Sequence, residues 1–402
     1  MQTFIDGLIA NSELLQSLPK QAVYIGIQFT ICLVILMGFV SPFAAIAGFL
    51  ERRVAGRIQS RVGPNRVGPQ GLLQSLADGI KALLKEDIIP TAADGLLFRL
   101  APYFVFMGMF LAFAAIPFSS QWVVADFDLG IFYLLAVESL VVIGVVMSGW
   151  ASNNKWSLLG GMRAAAQIIS YEVPVSITVL LVVLYSGTMS IQGIIGQQGA
   201  APWDWNMFQT PFMFVAFFVL FIGALAEGNR TPFDIPEAES ELVSGYNTEY
   251  SGFRFLLFFF AEFSNLYLIG AISTVLFLGG WQAEPLVKWL GVEQSWLRNV
   301  VEVAVFQIKT LSLVFVVIQL RWTLPRVRID QLMSLCWKYL VPVGLVNLLA
   351  MSIWMILIPE GFTEVVSWIL TSIAGIILVY FLYRVRWQLK NSNSEVTFNP
   401  LS

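Results

Sequence analysis

Apolar runs long enough to cross a lipid bilayer recur along the whole chain, and they restrict the folds that it can adopt. An α-helix needs about 20 mainly apolar residues to span the hydrocarbon core. Nine runs meet or approach this length: 23–50, 99–117, 131–150, 163–185, 211–226, 253–279, 302–320, 339–357 and 365–383. Backbone groups in lipid must be paired within their own segment. The pattern therefore predicts an all-α integral membrane protein with about nine transmembrane helices.

The composition agrees with this fold class. Hydrophobic residues make up 57% of the 402 residues and charged residues 12%, whereas soluble domains carry about 25% charge. The formal net charge of −3 indicates no charged partner such as nucleic acid. Neither a repeat nor a linker is evident, so we expect one membrane domain over residues 1–402. Its core would be eight spans at 23–358, followed by a further span at 365–383.

Residues 51–86 predict an interfacial helix between the first two spans. The first run ends at Glu51, Arg52 and Arg53, and the following segment RVGPNRVGPQG (61–71) is too rich in Gly and Pro for a regular helix. In 71–86 leucine and isoleucine recur at every fourth residue, with polar residues opposite them. This pattern is typical of an amphipathic helix lying in the membrane interface. A helix packed on a soluble partner would show the same pattern.

The distribution of Lys and Arg predicts the orientation in the membrane. Most of the 23 fall in alternate connections and in the C-terminal tail, whereas only Lys20, Lys288 and Arg298 lie on the opposite side. Short cytoplasmic loops carry an excess of these residues. We therefore expect the N-terminus outside and the C-terminus in the cytoplasm. The arginines around Arg52 and Arg321 could be explained by this rule alone, without a role in ligand binding.

One connection, 227–250 (EGNRTPFDIPEAESELVSGYNTEY), is unusually acidic. Arg230 is its only base, and its carboxylates are Glu227, Asp234, Glu237, Glu239, Glu241 and Glu249. Acidic residues contribute little to topology, and apolar residues stand between these acids. An exposed acidic loop is one interpretation. We favour a set of proton-exchanging carboxylates folded back against the protein.

Three glutamates and one lysine lie within apolar runs: Glu138, Glu172, Glu262 and Lys309. Each costs about 2.5–3.5 kcal/mol on insertion scales, so such residues usually mark a pathway or a buried pair. A rise of about 1.5 Å per residue places Glu172 and Glu262 roughly 14 Å deep and Glu138 roughly 18 Å deep, with Glu227 at the surface. This series predicts a proton path. Structural carboxylates held by hydrogen bonds are the alternative.

The sequence offers few ligands for a cofactor. It contains no His, and its two cysteines, Cys32 and Cys336, are far apart. Most iron–sulfur clusters need four ligands, and no phosphate-binding or dinucleotide-binding glycine motif is present. We expect no metal, nucleotide or covalent cofactor on this chain.

Several stretches carry a family resemblance: 51–71, 77–90 (ADGIKALLKEDIIP), 151–174 (ASNNKWSLLGGMRAAAQIISYEVP), 226–265 and 325–333 (PRVRIDQLM). Over about residues 25–355 the chain resembles the family of quinone-chamber membrane subunits of respiratory complex I, the H subunits of NADH-quinone oxidoreductase. Segments 187–210 and 280–301 and the tail beyond Pro359 depart from the family core of eight spans. The added length favours a bacterial plasma (inner) membrane over a mitochondrial one.

The resemblance implies a subunit of an H⁺-translocating NADH:quinone oxidoreductase with quinone as substrate. By motif match, Arg52, Arg61, Phe259 and Arg321 would border the quinone chamber. The resemblance also implies an acidic link from the chamber into the membrane arm, formed by Glu172, Glu227, Asp234, Glu237, Glu239, Glu241 and Glu262. With Glu138, which the series of buried acids adds, these residues make up the expected proton path. The implied partners are the lipid bilayer, the peripheral-arm quinone-site and iron–sulfur subunits, and small membrane subunits.

Two other functions stay open at this point. A self-contained ion transporter would explain the buried acids but not the interfacial helix. The homologous anchor subunit of a membrane-bound hydrogenase would differ mainly in its soluble partner.

Overall fold

The computed structural model describes residues 20–236, 239–291, 294–357 and 360–392, and in these ranges the chain is helical with no β-strand. Two π turns, Leu36–Val40 and Leu335–Leu340, join α1 to α2 and α14 to α15. The helices are α1 (Lys20–Ile35), α2 (Ser41–Ile58), α3 (Gln74–Leu84), α4 (Gly95–Ala115), α5 (Gly130–Ala151), α6 (Lys155–Ser186), α7 (Ile191–Gln197), α8 (Asn206–Gln209), α9 (Pro211–Glu227), α10 (Glu239–Leu242), α11 (Gly252–Phe277), α12 (Glu284–Trp289), α13 (Ser295–Thr323), α14 (Ile329–Ser334), α15 (Val341–Leu357) and α16 (Glu360–Ser392).

Seven helical segments of the described chain are long and apolar enough to cross a membrane. They correspond to seven of the nine predicted runs. The fifth and ninth runs form apolar helices that are shorter, namely α9 and the stretch Gly361–Ile377 within α16. The all-α class expected from the sequence is thus confirmed for the described residues, which have the character of an integral membrane protein.

Several helices extend beyond the predicted apolar runs. The first continues through the π turn and α2 to Ile58 rather than ending at Leu50. Likewise α13 runs to Thr323, so Arg321 lies on a helix and not in a connection. Hydropathy marks only the stretch of a helix that resembles lipid. It does not mark the turns that carry charges beyond that stretch.

The predicted amphipathic helix is present as α3, preceded by a segment that is not regular helix. Leu76, Ile80 and Leu83 on α3 are exposed, while its other side packs against α2 and α11. Gly71 ends the preceding segment at φ +80°, with the Pro64 carbonyl directly where a side chain would lie. Only glycine fits that position.

The core of the molecule is formed by the long helices that surround α11. Tyr267 of α11 is fully buried. Its ring centroid lies 5.1 Å from that of Phe39, 5.2 Å from that of Phe43 and 5.7 Å from that of Phe113. These edge and stacked contacts tie α11 to the first helical run and to α4. These contacts hold α11 in place, and with it the positions of the functional side chains on this helix.

Two of the three segments expected to depart from the family core, 187–210 and the tail beyond Pro359, pack on one another. Trp203, from the 187–210 segment, stacks on Trp368 of α16 with ring centroids 4.8 Å apart. The Ser367 hydroxyl donates to the Trp203 carbonyl at 2.5 Å. Helix α16 thus packs against the 187–210 segment.

We predict that Gly144→Val destabilises the helix pair α4–α5. A Cβ at Gly144 would lie 2.8 Å from the backbone nitrogen of Val105, so the helices would have to separate, at a cost of about 1–3 kcal/mol. Thermal unfolding of the purified chain in detergent measures this. Gly26→Ala, where a Cβ meets nothing within 4 Å, is the control. Equal unfolding temperatures for both variants would contradict the close helix contact.

Candidate functional site

Two glutamates and two arginines from distant parts of the sequence meet beside the acidic connection. Nη1 of Arg230 lies 3.5 Å from Oε1 of Glu51 and 3.3 Å from Oε1 of Glu262. Nη1 of Arg321 lies 2.5 Å and 3.8 Å from the same two oxygens. We call these four residues the ion cluster. It joins α2, α11 and α13 to the connection that follows α9.

Arg230 is the most enclosed member of the ion cluster, with 1% of its surface exposed. A buried charge is tolerated only with close partners of opposite charge and further hydrogen bonds. Besides the two carboxylates, Nη2 donates to the Glu262 carbonyl at 3.2 Å. The guanidinium carbon also lies 4.8 Å from the centre of the Phe263 ring, a favourable cation–π contact. The cation is thus compensated on several sides.

The turn after α9 directs Arg230 into the protein. Asn229 adopts a left-handed conformation with φ 49°, and the Arg230 N–H donates back to the Leu225 carbonyl at 3.1 Å. The Gln167 amide of α6 donates to the carbonyls of Ala226 and Phe233, each at 2.7 Å. These bonds hold the start of the acidic connection against α6.

Asp234 lies beside the ion cluster in a largely buried position. Burial raises the pKa of its carboxyl to about 6, although the charges of Arg326 and Arg321 oppose this shift. Oδ2 accepts a hydrogen bond from Nη2 of Arg326 at 3.1 Å. Oδ1 is buried and has no hydrogen-bond partner among the described residues. Asp234 can therefore bind or release a proton close to neutral pH.

Three of the acids predicted for the proton path line one cavity of about 60 Å³. They are Glu138 on α5, Glu172 on α6 and Glu227 at the end of α9. We call this space the acid cavity. Its other walls are mainly apolar, with Asn265 of α11 as a further polar group. One water molecule needs about 10–15 Å³ of such space, so the cavity has room for waters that bridge the carboxyl groups.

Glu227, which the sequence places at the cytoplasmic end of its span, shares the acid cavity with Glu138 and Glu172. Its Oε1 is buried without a hydrogen-bond partner among the described residues, and the depth of each acid in the membrane stays a prediction. Counting along helices gives distance along each axis but not the level at which a helix starts or the direction of its side chains. Hydrogen bonds from the Arg230 N–H to the Leu225 carbonyl and from the Gln167 amide to the Ala226 carbonyl keep the start of the acidic connection close to the end of α9.

Glu262 belongs to the ion cluster and does not line the acid cavity. The two sites are nevertheless adjacent on the chain. Asn265, in the cavity wall, follows Glu262 by about one helical turn on α11. Glu227 precedes Arg230 by three residues. Side chains of one short region thus connect the ion cluster with the acid cavity.

The predicted chamber residues Arg52 and Arg61 bind partners outside the ion cluster, although Arg52 directly follows Glu51 on α2. Nη1 of Arg52 is 2.5 Å from Oδ2 of Asp78 on α3. Partial burial raises the pKa of Asp78, but the hydrogen bond and charge of Arg52 outweigh it and hold that pKa below its ordinary value. Arg61 is exposed and donates from Nε to the Gln59 side chain at 2.6 Å. Arg52 therefore fixes α3 against α2.

Phe259, the fourth predicted chamber residue, is partly exposed on α11. Its ring centroid lies 4.7 Å from that of Phe263, whose ring faces the Arg230 guanidinium. A line of aromatic contacts therefore runs from an exposed face of α11 to the ion cluster.

The remaining predicted acids are at the surface or outside the described residues. Glu241 is exposed, and Nη1 of Arg163 lies 2.7 Å from its Oε2. Glu239 is the first residue of α10, but its side chain falls outside the description, as does the whole of Glu237. In the described ranges no three or more His, Cys, Asp or Glu side chains form a group that could hold a metal ion.

Sequence reasoning missed Glu51 and Arg230 as members of the site. Arg230 could have been found as the only base in the acidic connection. Glu51 gave no comparable indication, because it stands beside two arginines at the end of an apolar run. Lys309 has a different environment: its ammonium donates to the Leu278 and Gly280 carbonyls at 2.8 and 3.1 Å. It stabilises the end of α11.

Comparison with known proteins gives one consistent family. Residues 30–352 match the protein family described as NADH dehydrogenase. The chain is 50% identical over 348 residues to the H subunit of NADH-quinone oxidoreductase from Anaeromyxobacter dehalogenans, covering 83% of each chain. The protein of the same name from Chlorobaculum tepidum is 46% identical over 79% of this chain and 90% of its own length. That of Chlorobium luteolum is 44% identical over 80% and 87%.

We predict that Arg230→Gln strongly destabilises the chain, because it leaves Glu51 and Glu262 with a single cation. Breaking a buried pair typically costs about 3–5 kcal/mol. Arg163→Gln removes an exposed pair with Glu241 and should cost below about 1 kcal/mol. Thermal unfolding in detergent compares the two variants. If Arg230→Gln unfolded at the same temperature as Arg163→Gln, the ion cluster would not hold the connection in place.

Proposed function

We propose that this chain, which belongs to the family of NADH-quinone oxidoreductase H subunits, is a membrane subunit of a proton-translocating NADH:quinone oxidoreductase, respiratory complex I. The family assignment extends over most of the chain. The observation that best supports the coupling role is the placement of an acid cavity next to a buried ion cluster. Isolated structural carboxylates would not need to gather in this way, since each is costly to bury.

The quinone chamber lies, in this proposal, on the side of the ion cluster that Arg321 and Phe259 face. Arg321 is only partly buried, so its guanidinium has N–H groups that can donate to a quinone carbonyl oxygen. Phe259 offers an exposed ring for stacking on the head group. Arg52 and Arg61 would border the chamber from the side of α3, whose exposed leucines suit contact with an isoprenoid tail.

We propose that this chain holds no metal, nucleotide or covalent cofactor and binds quinone only as a substrate. The electrons that reduce the quinone would then come from a partner subunit. As negative charge develops on the quinone, it attracts Arg321. Glu51 and Glu262 then lose part of the positive charge that compensates them. Asp234, whose pKa burial raises to about 6, is the group beside the ion cluster suited to bind a proton in response.

The acid cavity extends the path into the membrane part of the chain. Carboxyl groups that share a small, mostly apolar cavity with water repel one another when ionised, so protonation of one depends on the state of its neighbours. Glu227 is the member nearest to the ion cluster along the chain. We propose that protons pass between Glu227, Glu172 and Glu138 by way of such waters, and that Glu237, Glu239 and Glu241 feed this path.

We further propose that the chain is one domain in a bacterial plasma membrane, with the N-terminus outside and the acidic connection on the cytoplasmic side. The bias of Lys and Arg supports this orientation. The peripheral-arm quinone-site and iron–sulfur subunits would then dock near α3, and small membrane subunits would contact the sides. Identification of the soluble subunits that co-purify with a tagged chain tests this assembly.

Arg321→Met is expected to impair quinone handling. Loss of a hydrogen bond from a charged group should raise the apparent KM for quinone about tenfold. Arg321 is more exposed than Arg230, which still pairs with Glu51 and Glu262 in this variant, so NADH oxidation by an artificial acceptor should stay unchanged in the assembled complex. Arg321→Lys, which keeps the cation opposite Glu51, is the matched variant for assembly. A parallel loss of both activities would show that Arg321 serves assembly and not the chamber.

Glu172→Gln is expected to impair proton transfer and the quinone reduction that is coupled to it. Glutamine keeps the size of the side chain but cannot bind or release a proton near neutral pH. Quinone reduction and proton uptake into sealed vesicles should both fall about tenfold or more, whereas NADH oxidation by an artificial acceptor persists. Glu284→Gln, at an exposed site on α12, should change neither. Normal turnover and proton uptake in Glu172→Gln would remove this residue from the path.

A further inference from the structure

Helix α6 contains a proline next to the acid cavity. Pro174 lies two residues after Glu172, inside the helix. A proline has no N–H, so the carbonyl four residues earlier loses its helical partner, and the ring also crowds that carbonyl. The carbonyl in question belongs to Ser170. An unpaired carbonyl in a water-free interior is costly.

The partner for this carbonyl comes from a different helix. Sγ of Cys336 lies 3.0 Å from the Ser170 oxygen, and Cys336 is fully buried, with 0% of its surface exposed. A thiol can donate one weak hydrogen bond. Its proton thus occupies the place of the N–H that Pro174 lacks.

A second bond joins the same two parts of the chain. The hydroxyl of Tyr171, which is also fully buried, donates to the Leu332 carbonyl at 3.0 Å. Leu332 is in α14, and Cys336 is in the π turn that follows. Such π turns are rare and are often found at functional sites. Two crossed hydrogen bonds therefore hold the residues directly before Glu172.

We propose that Cys336 is a positioning residue for Glu172, acting through the Ser170 carbonyl. This inference rests on the proposed function of the acid cavity. The thiol fixes the α6 backbone at its weakest point, where the broken hydrogen-bond ladder would otherwise allow the helix to bend by variable amounts. Glu172 then enters the cavity in one orientation. Proton transfer through a few waters requires hydrogen-bond distances, and small displacements of a reacting group lower rates steeply.

Variants of Cys336 in the assembled complex test this role. Cys336→Ala removes the donor and should lower the kcat of quinone reduction and the rate of proton uptake by roughly two- to tenfold, the effect of one hydrogen bond. The apparent KM for quinone and NADH oxidation by an artificial acceptor should stay unchanged. Cys336→Ser keeps a donor and should restore the rates. Thr178→Ala, which removes a buried hydroxyl bonded within α6, is the control and should leave them unchanged.

Pro174→Ala provides a second, independent test. Alanine supplies the missing N–H, so the Ser170 carbonyl regains a partner within α6 and no longer depends on the thiol. Cys336→Ala should then cost less in the Pro174→Ala background than in the natural chain, a coupling that a double-mutant cycle measures. In the infrared difference spectrum between enzymes with and without Cys336, the S–H stretching band should shift to higher frequency when Pro174 is replaced.

The outcomes separate this inference from the proposed function. Full activity of Cys336→Ala beside an impaired Glu172→Gln overturns the positioning role and leaves the proposed function in place. Equal impairment by Cys336→Ala, Cys336→Ser and Thr178→Ala also overturns it, because packing alone would then explain the loss. Full activity of Glu172→Gln overturns the proposed function, and the positioning role with it. The positioning role is established if Cys336→Ala lowers the rates, Cys336→Ser restores them and the effect of Cys336→Ala is smaller in the Pro174→Ala background.

Discussion

The buried guanidinium of Arg230 is the interaction on which the rest of the site depends. A cation with so little exposure is stable only between carboxylates, and those carboxylates, Glu51 and Glu262, are fixed on two long helices. The acidic connection must therefore fold inward at this point. That inward turn begins directly after the end of α9, where Glu227 lines the acid cavity.

Much of the fold could be predicted from the sequence, because lipid allows few backbone conformations. Apolar runs located the long helices, and the four-residue spacing located α3. Helix ends could not be predicted in the same way. Helix α2 continues to Ile58 and α13 to Thr323 because charged residues there are paired with partners from other helices. Those ion pairs form only in the folded chain, and hydropathy gives no information about them.

The site was predictable only where single residues carry the information. Glu138, Glu172 and Glu262 stand out because each is costly in an apolar run. Glu51 and Arg321 are separated by 270 positions, and nothing local indicates that they meet. The direction in which side chains point around each helix axis was equally hidden, so that Glu262 was placed in line with the cavity acids although it does not line the cavity. The pairing of Cys336 with the carbonyl freed by Pro174 likewise requires the structure.

The central claim is that the carboxyls of the acid cavity exchange protons when quinone is reduced next to the ion cluster. Infrared difference spectroscopy of the assembled enzyme, recorded on reduction of its bound quinone, measures this directly in the band of protonated carboxyl groups. We expect a change in this band in the natural enzyme and its loss in Glu227→Gln. An unchanged band in Glu227→Gln, together with normal quinone reduction, would contradict the claim.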